Sequence, residues 1–487
     1  MTTVEQATRY EAVIGLEVHV ELGTRTKMFC GCATDFGGQP NTRTCPVCLG
    51  QPGSLPVVNA RAVEYAISLG LALGCEIAPS SQFHRKNYFY PDMPKNYQIS
   101  QYDVPICLGG HLDVQTEDGV RRVGITRVHM EEDTGKSVHV GESGRIHGAD
   151  YSLVDYNRAG IPLLEVVSEP DIRSAAEARA YLTELQAIVL ALGISDAKLE
   201  EGSMRCDANI SVRPVGHTVF GTRAEVKNMN SVRSLGRAVD YEVFRQIGLL
   251  TAGERVVQET RHWDESAGRT STLRVKETTQ DYRYFPDPDL VVMEPDPSWI
   301  EDLRAALPEL PAAARQRLRE TYSLEAAQAA LLYGAGLAGL LEDAAVAGAP
   351  ADQAANWLVN EVTSWRNEHG AAHISGGQLA ELIALVADGT LSTKLARQVL
   401  ADVLEGSGDP GEIAERRGFR QLSDEAELSR IIDQVLAEQA DAAQRVRDGN
   451  HKAIGALVGA VMRATQGKAN PQLVNRLLEN RLRPENA

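Results

Sequence analysis

Ala12-Val13-Ile14-Gly15-Leu16-Glu17-Val18-His19-Val20-Glu21 alternates apolar and polar residues over most of its length. Period two is the signature of a half-buried strand. Val18 and Val20 then point to one face, and Glu17 and His19 to the other. The same alternation returns in residues 127–131, 204–212 and 222–227. Repeated strands with one polar face predict an antiparallel sheet packed on one side only. Helical spacing of apolar residues in 59–73 and 174–192 adds helices to this region, so the first part of the chain reads as mixed α and β.

A proline cluster, Pro286, Pro288, Pro295 and Pro297, interrupts this pattern. Proline removes a backbone donor and ends regular elements. Beyond it the chain reads as helix throughout. Leu379, Leu382, Ile383 and Val386 have i, i+3, i+4, i+7 spacing, Gly389 suits a helix end and Ser392 the next N-cap. Ile454, Leu457, Val458, Val461 and Met462 form another stripe, and Asn470-Pro471 opens a last helix carrying Leu473, Val474, Leu477 and Leu478. A glycine-rich stretch around 406–411 reads as a linker. The expected fold class is α+β in three parts: a sheet domain over 1–292, a helical domain over 293–407 and a small helical tail over 408–487.

The 487 residues carry 66 acids against 49 lysines and arginines, a net charge of −17. That balance favours solubility and argues against nonspecific wrapping of nucleic acid. No apolar run is long enough to span a bilayer, and residues 1–12 hold acids and lack a signal-peptide core. Cytoplasmic residence and no membrane partner are the expectations. Seven cysteines, an odd number, do not make a secreted disulfide framework. Cys75, Cys107 and Cys206 are scattered and read as buried thiols. Cys30, Cys32, Cys45 and Cys48 are two close pairs twelve residues apart. That spacing suits a structural zinc ion, whose four thiolates would close the coordination shell and leave no position for chemistry.

Taken singly, each polar strand face reads as a solvated surface. Taken together, Glu17 and His19, then Glu131, Glu132 and Asp133, then Arg205, Asp207, Asn209 and Ser211, then Arg223, Glu225 and Lys227 admit a second reading. Carboxylates with an imidazole suit Mg²⁺ or Mn²⁺, which take oxygen-rich shells and often bridge to phosphate. The sequence leaves open whether the four faces meet. Residues 84–92 and 276–286 mix bases with aromatics. They suit either a nucleotide held by charge and stacking or ordinary loops anchored by buried rings. Lys452, Arg463, Lys468, Arg476, Arg481 and Arg483 make the end of an acidic chain basic, as a solvated helix face or as a contact to a phosphate backbone. No phosphate-binding G-x-x-x-x-G-K-[ST] loop, G-x-S-x-G elbow or amidase-type glycine–serine run occurs.

Several long motifs resemble one family. They are Ile14-Gly15-Leu16-Glu17-Val18-His19-Val20, Arg85-Lys86-Asn87-Tyr88-Phe89-Tyr90-Pro91-Asp92, His129-Met130-Glu131-Glu132-Asp133 and Asp155-Tyr156-Asn157-Arg158-Ala159-Gly160-Ile161-Pro162-Leu163-Leu164-Glu165. Gly202-Ser203-Met204-Arg205-Cys206-Asp207-Ala208-Asn209, Tyr282-Arg283-Tyr284-Phe285-Pro286, Leu457-Val458-Gly459 and Gly467-Lys468-Ala469-Asn470-Pro471 continue the series. Spread over nearly the whole chain, they are similar to the B subunits of aspartyl/glutamyl-tRNA(Asn/Gln) amidotransferases. The resemblance implies a sheet cradle like that of glutamine synthetase and the guanidino kinases. It implies ATP-dependent phosphorylation of the side chain of a misacylated Glu-tRNA(Gln) or Asp-tRNA(Asn), then amidation. Ammonia would come from a glutaminase (amidase) partner, the A subunit, in a complex with a small C subunit. It also implies roles: Glu17, His19 and Glu131 on Mg²⁺, with Glu132 and Asp207 as further catalytic acids, and Lys86, Lys276 and Arg283 on phosphate. Lys452, Arg463 and Lys468 would meet tRNA. Two other readings compete: a non-catalytic tRNA scaffold, against which the acidic strand faces speak, and a small-molecule carboxylate–amine ligase, against which the basic tail speaks.

Overall fold

The computed structural model of the chain describes residues 9–141, 149–275, 282–419, 425–447, 454–465, 469 and 471–482. It divides into two compact units, Met1–Pro311 and Ala312–Ala487.

The first unit is built on a 13-stranded sheet. Its main path uses β1 (Tyr10–Glu21), β2 (His84–Asn87), β3 (Tyr97–Ser100), β4 (Gly119–Glu132), β5 (Pro162–Ser168), β6 (Met204–Pro214), β7 (Ala224–Met229), β8 (Glu259–Asp264), β9 (Arg269–Val275) and β10 (Phe285–Pro286). In space they run β9-β8-β7-β6-β1-β5-β4-β3-β2-β10. The pairs are antiparallel except β7 with β8. β1 is central, and Leu16, Val18 and Val20 are fully buried on its apolar side.

Helices α1 (Ala60–Ala72), α2 (Ala175–Ala191) and α3 (Val232–Thr251) cover strands of this sheet. The side chains of Asn59, Ser174 and Ser231 cap them, accepting first-turn backbone N–H groups that have no partner within the helix. A fourth helix, α4 (Pro297–Ala305), starts with proline at its first turn. Its Trp299, Ile300 and Leu303 pack against the same core. The proline cluster thus leads into a helix of the first unit, which continues to Pro311.

Every regular element of the second unit among the described residues is a helix. Leu318, Leu332, Leu341, Leu358, Leu379, Leu382, Ile383 and Val399 form one core, which also takes Ile413 from the helix Pro410–Arg416. Leu428, Ile432, Leu457, Val461, Val474 and Leu478 form another. Ser392 caps the helix Thr393–Leu404, and Gly389 has the positive φ of 79° that suits a helix end. Among the described residues no single helix is long and apolar enough to cross a membrane. The bent pair Ala326–Gly334 and Ala338–Val346 passes that test only jointly, and Leu332 and Leu341 are buried in the protein's own core.

Candidate active site on the polar face of the sheet

Directly opposed residues of antiparallel strands share a face. Glu17 lies opposite Asp207, and His19 opposite both Arg205 and Glu165. Glu165 in turn lies opposite His129, Glu131 opposite Ser100, and Asn209 opposite Glu225. The polar faces of β4, β5, β1, β6 and β7 therefore converge. Along β1, Glu17, His19 and Glu21 each organise a separate group.

Glu17, Asp207 and Glu225 form the first, with ligand atoms within 4.8 Å of one another. The Asn209 amide donates to Glu17 Oε1 at 2.8 Å. Lys227 pairs with Asp207 and, at 3.0 Å, with Glu225. Burial pushes the Glu17 carboxyl above its usual range, and the charges of Glu165, Glu225 and Asp207 add to this. One ammonium among three carboxylates leaves negative charge in excess, so the group fits a cation.

His19, Glu131 and Glu165 form the second group. His19 Nε2 lies 3.4 Å from Glu165 and 3.6 Å from Glu131. His129 Nε2 reaches Glu165 at 3.2 Å. The Arg127 guanidinium donates to His129 Nδ1 at 3.3 Å. Arginine can only donate, so Nδ1 accepts and Nε2–H is the donor facing Glu165. Burial works against charge on His19, but Glu165, by charge and hydrogen bond, outweighs it and raises the imidazole to about 9. Burial would raise Glu165, yet His129 and His19 hold it well below the carboxylate range. Lys86 faces the same group. Burial would lower its ammonium, but Tyr284, Glu131 and Glu165 more than compensate and it stays charged. The ammonium lies 5.0 Å from the centre of the Tyr282 ring.

Glu21 forms the third group by sharing a hydrogen bond with Asp133. Arg205 donates to Asp133 at 2.9 Å, and Arg158 lies at 3.5 Å. Burial, then Asp133, raise the Glu21 carboxyl to about 8.

Other residues singled out in the sequence fall elsewhere. Glu132, next to Glu131 on a strand, points to the opposite side. There it is buried, pairs with Lys95 and accepts the Ile99 N–H at 2.9 Å. Segments 84–92 and 282–286 meet at the sheet edge. Asn87 donates to the carbonyls of Tyr282 and Arg283, and Tyr102 stacks on Tyr284 at 4.3 Å. Arg283 is exposed and sits 5.4 Å over the Phe89 ring. Lys276, Lys452 and Lys468 lie outside the described residues. Arg463 is on the helix Ile454–Ala464. Glu165 is a site residue that sequence reasoning misses, although it joins two histidines. Its signal is a lone acid in the otherwise apolar run Pro162-Leu163-Leu164-Glu165-Val166-Val167.

Cys30, Cys32, Cys45 and Cys48 gather with their sulfurs within 4.8 Å. Cys45 and Cys48 are 3.9 Å apart, close to the roughly 3.8 Å edge of a tetrahedron with Zn–S bonds of about 2.3 Å. Lys27, 1% exposed, reaches Cys48 Sγ at 3.7 Å and is held by the carbonyls of Arg43 and Tyr156. A cation beside four thiolates offsets the charge they would carry around a divalent ion. The donor set and its spacing fit zinc.

Fold and site define a class: a broad, largely antiparallel sheet carrying a buried carboxylate–imidazole–lysine centre, with a helical unit after it. Residues 12–301 match the family described as the GatB/GatE catalytic domain, and residues 339–482 match the GatB domain. The aspartyl/glutamyl-tRNA(Asn/Gln) amidotransferase B subunit of Thermobifida fusca is 57% identical over 487 residues, covering 97% of this chain and 94% of its own. Its counterparts in Frankia casuarinae and Moorella thermoacetica are 54% and 53% identical, covering 97% of this chain and 96% and 100% of theirs. The chain belongs to the family of aspartyl/glutamyl-tRNA(Asn/Gln) amidotransferase B subunits.

Proposed function

We propose that this chain activates the side-chain carboxylate of Glu-tRNA(Gln) or Asp-tRNA(Asn) on the polar face of its sheet and converts it to the amide. It works in the cytoplasm with the glutaminase, the A subunit, which supplies ammonia, and with the small C subunit. The observation that carries this reading is the convergence of Glu17, His19, Glu131, Glu165 and Lys86 on one face.

A carboxylate resists ammonia because its leaving group would be oxide. Its oxygen instead attacks the γ-phosphorus of ATP, the bond to ADP breaks, and an acyl phosphate forms. Ammonia adds to the acyl carbon, phosphate leaves with the C–O electron pair, and the nitrogen loses a proton. Such phosphoryl transfer rests on positioning and charge neutralisation. Lys86, Lys276 and Arg283 hold phosphate oxygens. Glu17, His19, Glu131, Glu165 and Asp207 would hold Mg²⁺, which when bound neutralises and orients phosphate. Glu132 acts from behind the face, fixing β4 against β3 by accepting the Ile99 N–H and pairing with Lys95 in the turn before β3. Zinc on the four cysteines has a structural role only. The sheet is read as a relative of the glutamine synthetase and guanidino kinase cradle, and the basic tail, Lys452, Arg463 and Lys468 included, as a tRNA contact.

The test is a Glu17→Gln, His19→Gln double substitution in the assembled complex. ATP-dependent amide formation should disappear while retention of labelled tRNA on a filter stays within about twofold. Normal turnover would overturn the assignment.

A further inference from the structure

The strand register sets four side chains in one row across the polar face. Arg205 on β6 lies opposite His19 on β1, His19 opposite Glu165 on β5, and Glu165 opposite His129 on β4. Glu165 thus stands between two imidazoles. His19 belongs to the cation group, whereas His129 has no part in the chemistry proposed above. We infer that His129, set by Arg127, is a positioning residue that keeps the Glu165 carboxylate aimed at the cation shared with His19 and Glu131. The inference rests on the cation reading above and adds the residues that hold one of the ligands in place.

The geometry gives the two imidazoles different tasks. Both point Nε2 at the same oxygen, Glu165 Oε2, His19 from 3.4 Å and His129 from 3.2 Å. His19 Nε2 also lies 3.6 Å from Glu131, and His19, Glu131 and Glu165 are the three that can share a cation. A nitrogen that binds a metal gives its lone pair and carries no proton there. When His19 takes the cation, its hydrogen bond to Glu165 therefore ends. His129 reaches Glu165 from the opposite flank, on β4 rather than β1, and lies outside the ligand group. It remains as the donor that fixes the carboxylate.

Arg127 decides which nitrogen His129 presents. The two are two residues apart on β4, so their side chains share a face. The Arg127 guanidinium donates to His129 Nδ1 at 3.3 Å, which leaves the ring proton on Nε2, the nitrogen facing Glu165. His129 is 3% exposed. A proton on the other nitrogen would set a lone pair against the carboxylate oxygen, and buried acceptors without a donor are costly. A core role alone does not call for this arrangement, because apolar groups of the same shape in place of a buried hydrogen-bonded pair are close to neutral for stability. A carboxylate that must stay in place for a cation does call for it. Groups that orient a metal's ligands contribute roughly tenfold to a hundredfold to its affinity.

The test measures Mn²⁺ binding to the assembled complex by electron paramagnetic resonance. Nitrogen modulation in the spin echo of bound Mn²⁺, absent in His19→Gln, marks the His19 site. His129→Leu removes the donor at similar bulk and should weaken Mn²⁺ there about tenfold or more. His129→Gln returns an N–H to the neighbourhood of Nε2 and should stay within about threefold of the unsubstituted complex. Arg127→Met frees the choice of nitrogen and should weaken Mn²⁺ about threefold or more. A residue that only stabilised the core would lower the unfolding temperature and leave the affinity alone, so unchanged Mn²⁺ affinity in His129→Leu overturns the inference. Equal loss in His129→Leu and His129→Gln overturns it as well, since the N–H would then not be what holds Glu165. If His129→Leu fails to assemble, Arg127→Met decides, and affinity equal to that of the unsubstituted complex overturns the role. If the unsubstituted complex shows no nitrogen-marked Mn²⁺, the cation reading itself falls, and the part given to His129 with it.

Discussion

Replacing Glu165 by glutamine removes the carboxylate that faces both His19 and His129, at 3.4 and 3.2 Å. The size of the effect follows from His19. Its imidazole rises from 6.5 to about 9 against the effect of burial, and Glu165 is the largest favourable cause. At about 1.4 kcal/mol per pH unit, that rise is worth on the order of 3 kcal/mol for the charged form. The folded value lies above the unfolded one. The contribution is therefore complete below pH 6.5 and is lost as the pH climbs through 9. In Glu165→Gln the remaining Glu131 and Asp207 must oppose burial without the main partner. The His19 resonance, assigned by its loss in His19→Gln, should titrate near 9 in the cation-free parent and below about 7 in the variant. NMR of histidine-labelled protein in the presence of a chelator reads this directly. The variant should also unfold at lower denaturant at pH 6, with the difference narrowing above pH 9. A His19 resonance that still titrates near 9 without Glu165 would refute the pairing and with it the cohesion of the site.

Glu21→Gln addresses the neighbouring carboxyl pair. Because the Glu21 carboxyl is raised from 4.5 to about 8, folding of the parent loses stability between those values. Calorimetry should find the glutamine variant equal to the parent near pH 4.5 and more stable at pH 8.5. Glu132→Gln breaks the pair with Lys95 on the far side of β4, so it should lower the unfolding temperature while Mn²⁺ affinity, read by electron paramagnetic resonance, stays within about twofold. Cys45→Ser should remove bound zinc, measured by atomic absorption, and speed proteolysis within residues 33–57. Unchanged zinc content would mean that the four thiols are not its ligands.

Much of the sheet was legible because period-two alternation is a strong signal. The strand containing Glu17, the helices within 59–73 and 174–192 and the helix after Ser392 fall where their residues require. Convergence of the polar faces was not legible. It depends on register, such as Glu17 opposite Asp207 and His19 opposite Glu165, and that is set by pairing between strands about 150 to 190 residues apart. Glu165 illustrates the loss: in sequence it is one acid in an apolar strand, and only the pairing of β5 with β1 and β4 gives it two imidazoles. Adjacent acids mislead in the other direction. Glu131 and Glu132 look alike in sequence, yet the strand's alternation sends them to opposite faces. The proline cluster read as a boundary because proline ends elements, but proline also starts helices, and Pro297 opens α4. Lys27 gave no signal, since its burial beside Cys48 depends on the folded path of the cysteine loop.

The central claim is that this chain phosphorylates a tRNA-bound carboxylate. The direct measurement is release of labelled phosphate from [γ-³²P]ATP by the chain with its A and C partners, with and without Glu-tRNA(Gln) or Asp-tRNA(Asn), when ammonium replaces glutamine. Phosphate release that depends on the aminoacylated tRNA, and vanishes in the Glu17→Gln, His19→Gln variant, is the predicted result. Release independent of tRNA, or full activity in that variant, would contradict it.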